Sequence, residues 1–364
     1  MENKPVLLLG LGGAGCEIAS RIYKELPESE RKRVVVHTFD TNINDILKLG
    51  LKNSDITVTS SEYTVEQCLL DEKIRRSNVT EWFPNESPTI LRTKFSDGAG
   101  QIRAISRLAY MQVMGNPEKL MDLEKKLQTF SQVDGLDYAN DVRVMIVCSI
   151  AGGTGSGIFL QTALYLKDYF KSKGKNVTIR GSFVLPDIFV KNNIINGVNT
   201  INVRANGYAC LKELDAIIKS TMGQDDENNI NIQLAYKPGM ADEKVTTNPY
   251  DFVFLYDYEN LDGQHLGEYQ HYLDQISKVI YLQLFSDIAR ETDSDEINTL
   301  RNIVENDGRA RYASAGVSTL IYPYKDIVDY SSYRIASENI GKNWLKLDDL
   351  YRHEVEEIEN YKKQ

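Results

Sequence analysis

The chain has 364 residues, 42% of them hydrophobic and 26% charged, with a formal net charge of −10; by length alone it should hold two or three domains. The acidic balance excludes nonspecific duplex binding through a basic face, no apolar run reaches membrane-spanning length, and the chain is read as entering a strand at Val6 with no signal peptide. Four scattered cysteines (Cys16, Cys68, Cys148, Cys210) form no CxxC pair and fit a reducing cytoplasm. The four histidines lack metal-ligand spacing, so no caged metal is expected and any metal should be a phosphate-bound Mg²⁺.

In chain order, residues 5–9 read as a short apolar strand running into Gly10, Leu11, Gly12, Gly13, Ala14 and Gly15, then a helix over 16–26 stopped by Pro27. Residues 34–39 read as a second strand, ending at Asp40, Thr41 and Asn42. This strand, glycine loop, helix, strand and acid together match the dinucleotide fingerprint GxGxxG. Residues 50–95 carry no clear pattern. Gly98, Ala99, Gly100 and Gln101 precede a helical pattern through Met114 that carries Arg103 and Arg107, and 119–130 is amphipathic. An apolar run over 142–150 reads as a buried strand, followed by Ala151, Gly152, Gly153, Thr154, Gly155, Ser156 and Gly157 and a helix over 158–166. Beyond it come a strand over 177–185 ending at Pro186 and Asp187, a helix over 199–219, a polar acidic loop over 223–231 and a strand over 250–256. A long helix over 266–288 and a strand over 313–322 complete the pattern. From Asp326 on, Ile340, Trp344, Leu347, Tyr351, Val355 and Ile358 recur at helical spacing. Strands alternating with helices predict an α/β domain with a mainly parallel sheet.

Four glycines among residues 151–157, between strand and helix, leave backbone N–H groups unobstructed, and Thr154 and Ser156 add hydroxyls. Such a turn at a helix N-terminus is built to hold phosphate oxygens. No Gly-Lys-Ser/Thr follows, so it is not a Walker loop. A second glycine-rich loop lies about 140 residues upstream, and a dinucleotide fold needs only that first one.

The order Gly-Gly-Thr-Gly-Ser-Gly resembles the phosphate loop of the tubulin/FtsZ superfamily, departing only at Ala151. Gly10–Gly15 looks like the first phosphate loop of FtsZ, Asp40-Thr41-Asn42 stands where FtsZ carries Asn-Thr-Asp, and Gly98–Gln101 resembles the third loop of tubulins. The order of elements follows the superfamily from residue 5 to about 320, nearest to the divergent bacterial tubulin-like proteins. The resemblance implies a Rossmann-like GTP-binding domain over 1–290 with a long central helix. Residues 291–364 would form a reduced or helical C-terminal part.

It further implies GTP or GDP with Mg²⁺ as ligands, held by Gly10, Gly12, Gly13, Ala14, Gly15, Cys16, Asp40, Asn42, Gly98, Ala99, Gly100, Gln101 and the loop Ala151–Gly157. Asn206 and Asp274 are aligned with the polar side chains that read guanine, and Asp187 with a ribose contact. Hydrolysis would occur where a neighbouring subunit inserts acids, here Asp293, Asp295 and Glu296, with Thr299 in place of the second family acid. The expected protein is a cytoplasmic, head-to-tail self-assembling GTPase that touches neither nucleic acid nor membrane. Two other readings stay open: a nucleotide-gated scaffold engaging a partner through its C-terminal helices, and a dinucleotide-dependent oxidoreductase.

Overall fold

The computed structural model describes residues 4–77, 82–84, 87–130, 141–221, 232–240, 244–286, 289, 298–299, 311–318 and 323–364. Its strands are β1 (Val6–Leu11), β2 (Val34–Asp40), β3 (Ile56–Val58), β4 (Asp141–Ser149), β5 (Asn176–Val184), β6 (Phe252–Tyr256) and β7 (Tyr312–Ala313). They form one seven-stranded sheet in the order β3-β2-β1-β4-β5-β6-β7, and every pairing is parallel. The main helices are α1 (Gly12–Glu25), α2 (Arg103–Met114), α3 (Pro117–Thr129), α4 (Thr154–Ser172), α5 (Pro186–Lys191), α6 (Asn199–Thr221), α7 (Tyr269–Phe285), α8 (Tyr324–Glu338) and α9 (Leu347–Lys363).

Successive strand residues face opposite sides of a sheet, so an unbroken apolar strand needs cover on both. On one face Leu7, Leu9, Leu11, Val144, Ile146 and Cys148 pack with Tyr110 of α2, Leu123 of α3, Phe159 of α4 and Leu214 of α6. On the other, Val6, Leu8, Val36, Met145 and Val147 pack with Ile18 and Ile22 of α1, Ile188 of α5 and Ile276 and Ile280 of α7. The mainly parallel sheet expected from the alternation of elements is therefore present, and it is covered on both faces.

Two helices start earlier than the sequence pattern suggests. α1 begins at Gly12 and α4 at Thr154, so glycines read as loop make the first helical turns. First-turn N–H groups lack intrahelical partners, which leaves them available to a ligand. The unpatterned stretch 50–95 supplies the edge strand β3 and short helices such as Val65–Leu69. The expected long central helix is α7, trimmed to Tyr269–Phe285, and the strand expected over 313–322 is described only as Tyr312–Ala313. The acidic loop over 223–231 and the division expected at 290/291 lie outside the described residues.

The chain divides into two compact units, Met1–Val317 and Ser318–Gln364. The second is helical, as its spacing predicts, with α8 and α9 joined through a π-helical stretch, Asn339–Trp344.

Candidate functional site

In an all-parallel sheet the loops leaving the carboxyl ends of the strands lie along one edge, where open α/β sheets bind ligands. The loop after β1, the turn after β2 and the loop after β4 meet there. Their closeness depends on missing side chains. A Cβ on Gly15 would lie 2.1 Å from the carbonyl oxygen of Val147, and one on Gly155 would lie 2.8 Å from those of Leu11 and Ser149. Gly152 is different, because a Cβ there would meet nothing within 4 Å. The glycines thus divide between seating helices on strands and leaving backbone open.

Asp40, 4% exposed at the end of β2, ties the turn to the loop after β4. Its Oδ1 accepts from the N–H groups of Thr41 (2.6 Å) and Asn42 (3.2 Å) and from the hydroxyl of Thr154 (3.3 Å). The Thr154 and Thr41 hydroxyls lie 3.0 Å apart, and Thr59 donates to Thr41 at 3.3 Å. Burial pushes the Asp40 carboxyl up to about 6, against the N–H bonds from Asn42 and Thr41, which favour its charged form. Oδ1 is thus engaged inside the protein, unlike the free acid that binds a ribose in dinucleotide folds. Asn42 caps the short helix Ile43–Leu47 by accepting from the N–H of Asn44.

The segment Gly98 to Gln101 packs on the same loop. Gly98, Gly100 and Gln101 all have positive φ (82°, 53° and 64°), and a Cβ on Gly153 would lie 2.8 Å from that of Ala99. Asn206 of α6 braces the two segments. Its amide nitrogen donates to the carbonyls of Gln101 (2.9 Å), Ala151 (3.0 Å) and Gly152 (3.3 Å). The residue expected to read a base thus spends its amide N–H groups on loop backbone. Ser156, expected as a phosphate donor, is fully buried and its hydroxyl turns back onto the carbonyls of Gly152 and Gly153. Cys16 is buried too, its thiol facing the carbonyls of Gly10 and Phe39.

Asp274 of α7 pairs with Arg21 of α1, which also binds Glu17 at 2.7 Å and meets Gln270. This joint between α1 and α7 leaves the Asp274 side chain 48% exposed. In the sequence, Glu17 and Arg21 are marked only by their i,i+4 spacing, and Gln270 by no local pattern. Asp187, in the first turn of α5, pairs with Arg204 (3.0 Å) and Lys191 (3.5 Å). Asp293, Asp295 and Glu296 lie outside the described residues. Among the described residues, no group of three or more His, Cys, Asp or Glu side chains could hold a metal, and no helix is long and apolar enough to cross a membrane.

Residues 7–340 match the family model described as tubulin like. No curated protein matches the chain. Among solved structures, CetZ from Methanosaeta thermophila is similar at 16% identity, over 83% of this chain and 60% of that one, with a TM-score of 0.45. The GTPγS-bound protofilament of CetZ2 from Haloferax volcanii is similar at 17% identity, over 82% and 63%, with a TM-score of 0.43. A protofilament of TubZ from Bacillus thuringiensis serovar israelensis follows at 13%, over 78% and 57%, with a TM-score of 0.37. The chain spans about six-tenths of the length of these proteins. With its doubly covered parallel sheet and a family match over nearly its whole length, the chain belongs to the tubulin-like family.

Proposed function

We propose that this protein binds a guanine nucleotide at the carboxyl edge of its sheet and assembles head to tail through that edge. The observation that carries the reading is the backbone opened at Gly152, beside the first turns of α1 and α4, neither of which has a side-chain cap. Two helix N-termini and a positive-φ loop converge there, the donor set that suits a chain of phosphates. Mg²⁺ would arrive with the phosphates and offset their charge.

The protein's own groups then have separate tasks. N–H groups of the Gly12–Gly15 turn and of Gly152–Thr154 receive phosphate oxygens. Asp40 and Asn206 hold these segments in register. The joint of Glu17, Arg21, Gln270 and Asp274 stands where the base would lie, with Asp274 accepting from the guanine N–H donors. Hydrolysis at the subunit contact, using Asp293, Asp295 and Glu296 of the next subunit, belongs to the same proposal. A second reading, a nucleotide-gated scaffold, is favoured by the aromatic side chains of the C-terminal unit, among them Tyr333 at 75% and Trp344 at 71% exposure.

Asp274→Ala tests the base assignment. The Arg21–Asp274 pair is too exposed to add much stability, so melting should hardly move. Loss of a charge-assisted acceptor should cost about ten- to a hundredfold in GTP affinity and leave ATP binding where it was. Equal GTP and ATP affinity in the unaltered protein would refute guanine as the base. Unchanged discrimination in the variant would refute only Asp274.

A further inference from the structure

A cavity of about 340 Å³ opens between α2, α4 and α6, bordered by Trp82 and by Ile232 and Leu234. Leu160, Ala216 and Ile217 form its apolar wall, and Arg107 and Glu213 are its charged groups. The guanidinium of Arg107 stacks on the Trp82 ring, 4.2 Å from its centroid. The Gln161 amide, oriented to satisfy its neighbours, accepts from Arg107 Nη2 at 3.2 Å and donates to the Gly157 carbonyl at 3.3 Å. Among the described residues Nη1 has no partner.

Among the described residues the charges around it do not balance: Glu213 is the one carboxylate lining the cavity, and Arg103 already holds it with both terminal nitrogens, one at 2.9 Å. Two guanidiniums therefore share one carboxylate in a partly desolvated place, on a protein of net charge −10. Burial lowers the Arg107 guanidinium to about 10, with Glu213 raising and Arg103 lowering it, so it stays a cation at neutral pH. A half-buried cation with no carboxylate of its own among the described residues is favourably met by an anion. The volume lies within the usual range of small-molecule sites, and apolar walls with few polar groups are their usual make-up.

We propose that this cavity binds a small organic acid, its carboxylate on Arg107 and its aromatic body against Trp82, Leu160 and Ile217. An acid of one ring with a short chain suits the space, since benzene fills a cavity of about 150 Å³. The site lies one side chain from the phosphate-loop helix. Arg103 Nε donates to the Ser156 carbonyl at 3.1 Å, and Gln161 reaches Gly157. Occupancy should therefore alter nucleotide affinity, a clause that rests on the nucleotide reading above, whereas binding of the acid does not.

The test is calorimetric titration of the full chain, without nucleotide, with 4-phenylbutyrate and with its neutral primary amide. Trp82 fluorescence in a Trp344→Phe background reports the same event. Saturable binding of the acid, at least tenfold weaker for the amide and in Arg107→Gln, is the expected result. Ala216→Phe, which fills the cavity and keeps Arg107, should also abolish binding and covers the case in which Arg107→Gln fails to fold. No saturation by about 10 mM, a range far weaker than ordinary specific sites, overturns the proposal. Equal affinity for acid and amide, or binding that survives Ala216→Phe, does the same. If the acid binds but leaves GTP affinity untouched, the site stands and only the coupling is lost.

Discussion

At the scale of single residues, the glycines of the loop after β4 should separate into two behaviours. Gly155 is crowded where a side chain would go, with the carbonyls of Leu11 and Ser149 at 2.8 Å and the Cys148 Cβ at 2.9 Å. Gly155→Val must push strand from helix and should cost about 3 kcal/mol or more of stability. Gly152→Ala adds a methyl to open space and should melt within about 0.5 kcal/mol of the parent while weakening every nucleoside triphosphate. A Gly152→Ala protein with unaltered nucleotide affinity would remove the loop from the site. Asp40 gives a second prediction, through pH. Its carboxyl titrates near 6 when folded against about 3.8 unfolded, so between those values the folded state holds the extra proton. The contribution to stability is full below about 4 and is lost as pH rises through 6, on the order of 3 kcal/mol. Asp40→Asn keeps the acceptor for Thr41 and Asn42 and lacks the buried charge. It should therefore melt above the parent at pH 7.5 and level with it at pH 4. Lower melting than the parent at pH 7.5 would show that the charge is needed in the fold.

At the scale of elements, Asn206 decides between two roles for α6. As a brace it fixes the carbonyls of Gln101, Ala151 and Gly152. Asn206→Ala would leave those carbonyls unmatched, costing about 1–3 kcal/mol of stability, and would lower GTP, ATP and ITP affinity by a common factor. A reader of the guanine edge would instead lose GTP-over-ATP discrimination with little change in melting. The brace was invisible in the sequence, because it joins positions 55 and 105 residues apart and no local pattern reports such a contact. Much else was legible, for local reasons. Continuous apolar runs gave β1, β2 and β4, since a parallel strand covered on both faces needs them. The glycine loops marked where α1 and α4 seat on the strands, at the edge that holds the candidate site, because few other residues allow helix and strand so close. Helix starts were misplaced at Gly12 and Thr154 because glycine reads as loop whatever turn it occupies. The joint of Arg21 with Asp274 was missed because α1 and α7 meet only in three dimensions.

At the scale of the whole molecule, the proposal turns on what surrounds the mouth of the site. Ile43 (46% exposed) and Leu47 (58%) follow β2, while Ile194 (52%), Val198 (78%) and Ile201 (70%) follow β5 and open α6. Both segments leave the carboxyl ends of parallel strands, the edge at which the glycine loops lie. Exposed apolar residues grouped at one end of a molecule mark a contact surface, and a contact between unlike ends of identical subunits propagates into filaments. Glutamate at both Val198 and Ile201 should then block assembly. Nucleotide affinity and melting should stay near the parent's, because neither side chain is packed. Met121→Glu on α3, 47% exposed but on a helix that covers the sheet face, serves as the control. Light scattering with GTP should rise for the parent and the control and stay flat for the double variant, and hydrolysis per subunit should fall with it. If the neighbour's acids complete the site, the parent's own turnover per subunit must also drop on dilution. Turnover that stays constant across a wide dilution series, or assembly of the double variant equal to the parent's, would place both the contact and the chemistry elsewhere on the molecule.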